Sequence, residues 1–348
     1  MSSGGNAGNA MSFRIDRLQS GGLIVNYRCP ASCAHCLYAC GPARSPDYMT
    51  PAMAAQLAGR LIELGCAIVH IGGGEPLLDR EGLCGVLDAL RAGGVDVCYV
   101  ETNCFWAASE RQARQVVAQL QEHGLGRLLV SIDPFHNETI PFQRVLTAMK
   151  AAQAEGMGVI PWRMEFAEDI QRLDPARPHG LEEYARVFGS DYGMQAFNRY
   201  GLTFGGRAAI RFRDRLGKMP ASRIAGQPSP CRRLAETTHF HIDQGGRYIP
   251  GLCTGFAIPV SSLGRPLIEY PLIDLLYRGG IGALRDLAIS SFGYKDRADG
   301  YCGACDLCLD IRRHIVRTAR EAPPELGPAG FYAQLDRETE SGIRQVYS

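Results

Sequence analysis

The sequence has almost no net charge: 37 Lys and Arg against 36 Asp and Glu leave +1. That removes the electrostatic case for nucleic acid or an anionic membrane surface as partner. It has no run of about eighteen apolar residues, so no helix is expected to span a membrane. The first ten residues, Met1 to Ala10, lack both the basic n-region and the apolar h-region of a signal peptide. Only about twenty residues precede the first expected strand, too few for an extra recognition domain. What the chain does have is thirteen cysteines. Without export signals they point to a cytoplasmic protein, where thiols bind metal or react rather than pair. The apolar share of 46% supplies an ample core, and 348 residues allow one large domain or two ordinary ones.

Residues 1–20 begin polar and Gly-rich and read as a flexible tail. Strand and helix patterns then alternate. Leu23–Tyr27 is a first strand. Thr50-Pro51 reads as an N-cap and N1 proline, followed by Ala54, Leu57, Leu61 and Leu64 at helical spacing. Further strands are expected at 67–71, 95–100, 128–132 and 159–166, with helices between them. A helix at 181–188 and an extended stretch at 201–210 complete six units. Such alternation predicts a parallel α/β architecture. In parallel barrels the chemistry sits at the strand C-termini, and the unusual residues fall there.

The most telling stretch is Cys29-Pro-Ala-Ser-Cys33-Ala-His-Cys36, directly after the first strand. A zinc ion or a simple four-thiolate cluster wants four protein ligands; three sulfurs suggest a centre with one position left open. Cys-x3-Cys-x2-Cys in this place resembles the signature of radical S-adenosylmethionine (SAM) enzymes. The resemblance implies a partial (β/α)6 TIM barrel over residues 21–215. It implies that Cys29, Cys33 and Cys36 hold a [4Fe–4S] cluster whose fourth iron is chelated by SAM.

Gly72-Gly73-Gly74-Glu75 after the second strand resembles the family's GGE motif, which implies that Gly73, Gly74 and Glu75 bind SAM. Taken alone, a Gly-rich turn is usually only a turn. Asn103 after the third strand, and Ser131 and Asp133 after the fourth, stand where relatives contact SAM; the alternative is that they form turns. His136 faces substrate or is structural. Arg163 and Glu165 alternate on the expected fifth strand, so both point to one side. Arg163 then binds a carboxylate of SAM or substrate, or forms a plain salt bridge. Gly205-Gly-Arg207-Ala208 resembles a last-strand element of the family and bears on barrel closure. Cys66 and Cys84 read as small core residues and Cys98 as a strand residue; Cys40 and Cys104 stand near the active-site positions.

From about residue 215 the helical periodicity thins, and Pro220, Pro228 and Pro230 mark a linker. Beyond it lie Cys231, a hairpin pattern around Gly245-Gly246 ending at Cys253, and Cys302-Gly-Ala-Cys305-Asp-Leu-Cys308 entering a helix. Residues 216–325 resemble the shortened, twitch-type version of the SPASM module, a small cluster-binding unit of β-hairpin plus helix. This implies one auxiliary [4Fe–4S] cluster. Cys231, Cys253, Cys305 and Cys308 are the preferred ligands, and a set using Cys302 with Cys305 stays open. A zinc site is the alternative for the same spacings. Residues 326–348 read as a C-terminal tail.

The resemblance implies reductive cleavage of SAM to a 5′-deoxyadenosyl radical that takes a hydrogen atom from substrate. It also implies an external one-electron reductant of flavodoxin or ferredoxin type. An auxiliary cluster suits oxidation or crosslinking of a peptide or protein side chain. Sulfatase-maturing relatives usually carry Asp after the hairpin cysteine, where this chain has Thr254. A small-molecule dehydrogenation or rearrangement is the second enzyme reading, and an iron–sulfur electron carrier the non-enzyme one. A carrier has no need of a SAM motif.

Overall fold

The computed structural model describes residues 13–346 apart from 202, 227 and 228; residues 1–12 of the expected tail and Pro228 of the expected linker lie outside them. Strand β1 (Gly21–Ile24) leads through the cysteine loop to α1 (Pro51–Glu63). Thr50 caps α1 by accepting from the Met53 amide at 3.2 Å, with Pro51 at the first helical position. Then follow β2 (Ile68–Gly72), α2 (Arg80–Ala92), β3 (Asp96–Thr102), α3 (Glu110–Glu122) and β4 (Arg127–Ser131). Asp79 and Ser109 cap α2 and α3 in the same way. A short α4 (Pro134–Asn137) and α5 (Phe142–Ala154) precede β5 (Gly158–Trp162). The apolar residues at helical spacing, such as Leu57, Leu61, Val116 and Leu120, are buried against the sheet or against neighbouring helices.

Five consecutive strands thus lie parallel in the order β5-β4-β3-β2-β1. The expected sixth unit differs. After α6 (Ala167–Gln171), α7 (Leu181–Phe188) and α8 (Tyr192–Tyr200), the stretch 201–210 makes no strand among its described residues. It turns into α9 (Ala208–Arg211), because Gly206 takes φ +53° and Arg207 takes helical angles. The fifth strand also stops early. Arg163 is left-handed (φ 66°, ψ 41°) and opens a 3-10 turn, so Arg163 and Glu165 do not share a strand face as expected.

After α10 (Ala221–Ala225) comes the hairpin, β6 (Phe240–Asp243) and β7 (Arg247–Ile249), followed by β8 (Ile258–Pro259). Strand β6 pairs in parallel with the free edge of β1, so one eight-stranded sheet runs from β5 to β8. The hairpin is therefore continuous with the barrel sheet. Helices α11 (Pro271–Phe292, broken at Gly280), α12 (Ala304–Thr318) and α13 (Ala329–Val346) complete the chain. Both expected tails carry packed residues: Phe13, Ile15 and Leu18 are buried at one end, Phe331, Tyr332 and Leu335 at the other. Among the described residues no helix is long and apolar enough to cross a membrane.

Candidate active site

The loops after β1 to β5 enclose a cavity of ≈ 460 Å³. Of the fifteen residues proposed as ligands or cofactor contacts, nine line it: Cys29, Cys33, Cys36, Gly73, Gly74, Glu75, Asn103, Ser131 and Arg163. Burial pushes the Cys29 thiol well up, and the neighbouring Cys33 and Glu75 add to it. The Cys36 thiol is pulled down to about 5, chiefly by hydrogen bonding from Cys40, whose amide also donates to the sulfur at 3.3 Å. Three thiols on one tight loop, one of them held toward thiolate, fit a three-point metal ligand set.

The glycines serve the loop itself. A Cβ on Gly74 would lie 2.0 Å from the Arg28 carbonyl oxygen, and one on Gly73 would lie 2.7 Å from that of Asn26. Only glycine lets the second loop press against the first, where Gly74 N donates to Asn26 O and Glu75 N to Arg28 O, both at 2.9 Å. Glu75 is buried, and its carboxylate accepts from Leu77 N (3.1 Å), Thr102 Oγ1 (2.9 Å) and Asn103 N (2.9 Å). Burial nevertheless lifts it to about 7. Asn103 Nδ2 reaches Cys29 Sγ at 3.5 Å, which ties the third loop to the first.

Asp133 takes the structural one of its two readings. It does not line the cavity; its carboxylate caps α4 through His136 N (2.9 Å) and binds His136 Nδ1 (2.7 Å). Burial works to raise Asp133, but His136 overrides it and holds it at about 2. His136 does line the cavity, with a ring nitrogen within 4.8 Å of the Cys33 sulfur. Arg163 forms the salt bridge that was one of its two readings. Nη1 pairs with Glu165 at 3.4 Å, the head lies over Trp162 and Tyr200, and a buried Nε in the cavity wall has no partner among the described residues. That orphaned donor suits a ligand carboxylate.

The Gly-Arg-Ala element acts as a clamp on the cysteine loop, a role the sequence did not disclose. Gly206 packs so closely that a Cβ would lie 2.1 Å from the Leu37 carbonyl oxygen. Arg207, 2% exposed, donates to the carbonyls of Cys33 (2.9 Å) and Cys40 (2.6 Å) and pairs with Glu338 of α13 at 2.7 Å. Removing one partner of a buried, hydrogen-bonded ion pair costs ~3–5 kcal/mol. Arg207→Met should therefore lower the denaturation midpoint and halve iron retention or worse after gel filtration, with no change at Cys29, Cys33 or Cys36 themselves.

A second cavity of ≈ 570 Å³ abuts the first and shares Leu37, Thr203 and Leu252 with it. Cys231, Cys253, Cys305 and Cys308 all line it, together with Arg312; Cys302 does not. Burial raises Cys308 to about 11 and raises Cys231 and Cys253, and each of the three is raised further by the others or by Cys305. Four thiols that repel one another when ionised fit a shared metal centre, since a coordinating metal takes thiolates. Cys302 Sγ instead donates to the Arg213 carbonyl at 3.5 Å.

Five parallel strands, with thiols lining a cavity at their C-terminal ends, define a parallel α/β protein with a thiol-lined site. Residues 23–161 match the model of the Radical SAM superfamily. The superfamily implies a [4Fe–4S] cluster and SAM. Two curated relatives are GTP 3′,8-cyclases. That of Peptoclostridium acidaminophilum is 29% identical over 145 residues, 39% of this chain and 42% of the relative. That of Hydrogenovibrio crunogenus (strain DSM 25203 / XCL-2) is 28% identical over 187 residues, 50% and 54%. The chain thus matches about half the length of these relatives. Among solved structures, native anSMEcpe with bound AdoMet is 13% identical, covering 94% of this chain and 98% of that one with a TM-score of 0.41. Streptococcus suis SuiB is 11% identical, covering 90% and 77% with a TM-score of 0.33.

Proposed function

We propose that the protein is a cytoplasmic radical SAM enzyme with one auxiliary [4Fe–4S] cluster, and that it oxidises or crosslinks a peptide or protein side chain. The observation that carries this reading is the pair of abutting cavities, one lined by three thiols and the other by four. Cys29, Cys33 and Cys36 hold the first cluster, and Cys231, Cys253, Cys305 and Cys308 the auxiliary one. When bound, the first cluster would supply the electron for reductive cleavage of SAM and so the hydrogen-atom abstraction chemistry of the site. An external reductant of flavodoxin or ferredoxin type delivers that electron. The auxiliary cluster, held by Cys231, Cys253, Cys305 and Cys308, would supply an electron acceptor beside the substrate, which suits a net oxidation.

The chain's own residues do the positioning. Gly73, Gly74 and Glu75 bring backbone groups beside the cysteine loop, where SAM binds through its amino end. Asn103 and Ser131 offer hydrogen bonds from neighbouring loops, and the unpartnered Arg163 Nε takes a carboxylate. His136, fixed by Asp133, stands beside Cys33. Arg312 counters the charge of the auxiliary thiolates; Nη1 is anchored on the Thr254 carbonyl at 2.8 Å. Trp162 and Met164, 41% and 51% exposed at the rim, offer an apolar edge to an extended chain.

A second reading, a small-molecule radical enzyme, is favoured by the nucleotide cyclases among the relatives. The test is anaerobic: protein reconstituted with iron and sulfide, reduced and given SAM, should release 5′-deoxyadenosine and methionine. No release would return the chain to an electron-carrier role. Faster release on adding GTP would move the assignment to the second reading.

A further inference from the structure

The floor of the first cavity holds a group of side chains that neither cluster uses. His70 on β2 and His241 on β6 both pair in register with Gly22 on β1, one from each side. Adjacent strands lie about 4.8 Å apart, so the two histidines start about 9.6 Å apart across the middle strand. Their rings meet only because that strand carries no side chain between them. A Cβ on Gly22 would lie 2.2 Å from His70 Nε2. The rings lean over the glycine, and their Nε2 atoms approach to 3.1 Å. His239, just before β6, adds a third ring, with centroids 5.7 Å from His70 and 5.2 Å from His241. One nitrogen from each of the three lies within 4.8 Å of the others.

We propose that His70, His239 and His241 bind a single divalent metal ion, zinc by the donor set, with an open position toward the cavity. Zinc–nitrogen bonds of about 2.0–2.1 Å in a tetrahedron put two nitrogens about 3.3 Å apart, close to the 3.1 Å of the His70–His241 pair. The second nitrogen of His241, Nδ1, is 2.8 Å from the Tyr38 hydroxyl. A metal-bound imidazole commonly makes such an outer hydrogen bond, which fixes its tautomer and leaves Nε2 for the metal. Glu101 Oε1, 3.8 Å from His70 Nε2, supplies negative charge beside the site. Three imidazoles and an open fourth position are the pattern of a zinc site that binds water or a ligand oxygen. His239 and His241 line the cavity, so that ligand is a hydroxyl, carboxylate or water oxygen of whatever the cavity holds.

The test uses the full chain with its clusters reconstituted, exposed to zinc chloride, freed of excess by gel filtration, and examined by elemental analysis and zinc-edge X-ray absorption. Wild type should retain one zinc per chain with a nitrogen/oxygen shell at about 2.0–2.1 Å and no sulfur shell near 2.3 Å. His239→Ala, at an exposed position, and His241→Ala should each cut zinc retention at least tenfold with iron and sulfide unchanged. Zinc bound through sulfur, zinc retained equally by both variants, or none retained by the wild type would overturn the site. The last result would leave the trio as a hydrogen-bonded pair with a bystander. Release of 5′-deoxyadenosine without zinc bears on the previous reading alone.

Discussion

Cys33→Ala should release no 5′-deoxyadenosine, lose about four irons per chain and retain the remaining iron. Cys33, Cys29 and Cys36 stand on one loop whose shape is held from two sides. Gly73 and Gly74 press on it from β2, and Arg207 grips the Cys33 and Cys40 carbonyls from the side of α13. With the three thiolates as the proposed ligands of the first centre, losing one should cost the cluster rather than a fraction of its affinity. Cys40 is the residue that tests the assignment. It also faces the cavity, but its sulfur is directed to Cys36 and to the Gly73 carbonyl, the latter at 3.6 Å. Cys40→Ala should therefore keep iron and activity within a few-fold. A Cys40→Ala protein without its iron, or a Cys33→Ala protein that still cleaves SAM, would reverse the two roles. Iron and sulfide analysis with chromatography of the nucleoside products reads both.

What the sequence discloses here is what local spacing encodes. Alternation places β1 to β5 within a few residues, and Thr50, Asp79 and Ser109 start their helices because a short polar side chain satisfies an open amide within one turn. The cysteine loop and the glycine turn are likewise local. The expected strand at 201–210 fails on a contact the local pattern cannot show: Gly205-Gly-Arg207 is shaped by the distant cysteine loop it must clamp. Strand β5 runs short for a related reason, since Arg163 turns left-handed and lies over Trp162 and Tyr200. Asp133-Pro134 carried a legible signal that pointed elsewhere, because Asp before an N1 proline is first of all a helix cap. The histidine trio is the extreme case. His70 and His241 are 171 residues apart, and only the pairing of β6 with β1 sets them side by side. Gly22 lies just outside the strand expected from Leu23, and only the structure makes it a strand glycine, a kind of residue that often marks a close approach.

Cys305→Ala and Cys302→Ala should separate cleanly, although only two residues part them. The four thiols around the second cavity come from three places: the turn before the hairpin (Cys231), its far end (Cys253) and the start of α12 (Cys305 and Cys308). Cys305 and Cys308 sit three apart on a helix and so share one face. Cys302 precedes that helix. Its amide is held by Asp306 Oδ2 at 2.9 Å, and its sulfur is turned to the Arg213 carbonyl, outside the cavity. Cys305→Ala should lose about four irons while still cleaving SAM, because the cluster loop at Cys29–Cys36 is untouched. Product formation on the true substrate should then fall by orders of magnitude if the auxiliary centre takes the second electron. Cys302→Ala should keep the full iron content and lose only the weak sulfur–carbonyl contact. Zinc in place of iron at these four thiols, seen as a sulfur-only shell in the wild-type protein, would make the second cavity a structural metal site and leave the oxidation without its acceptor.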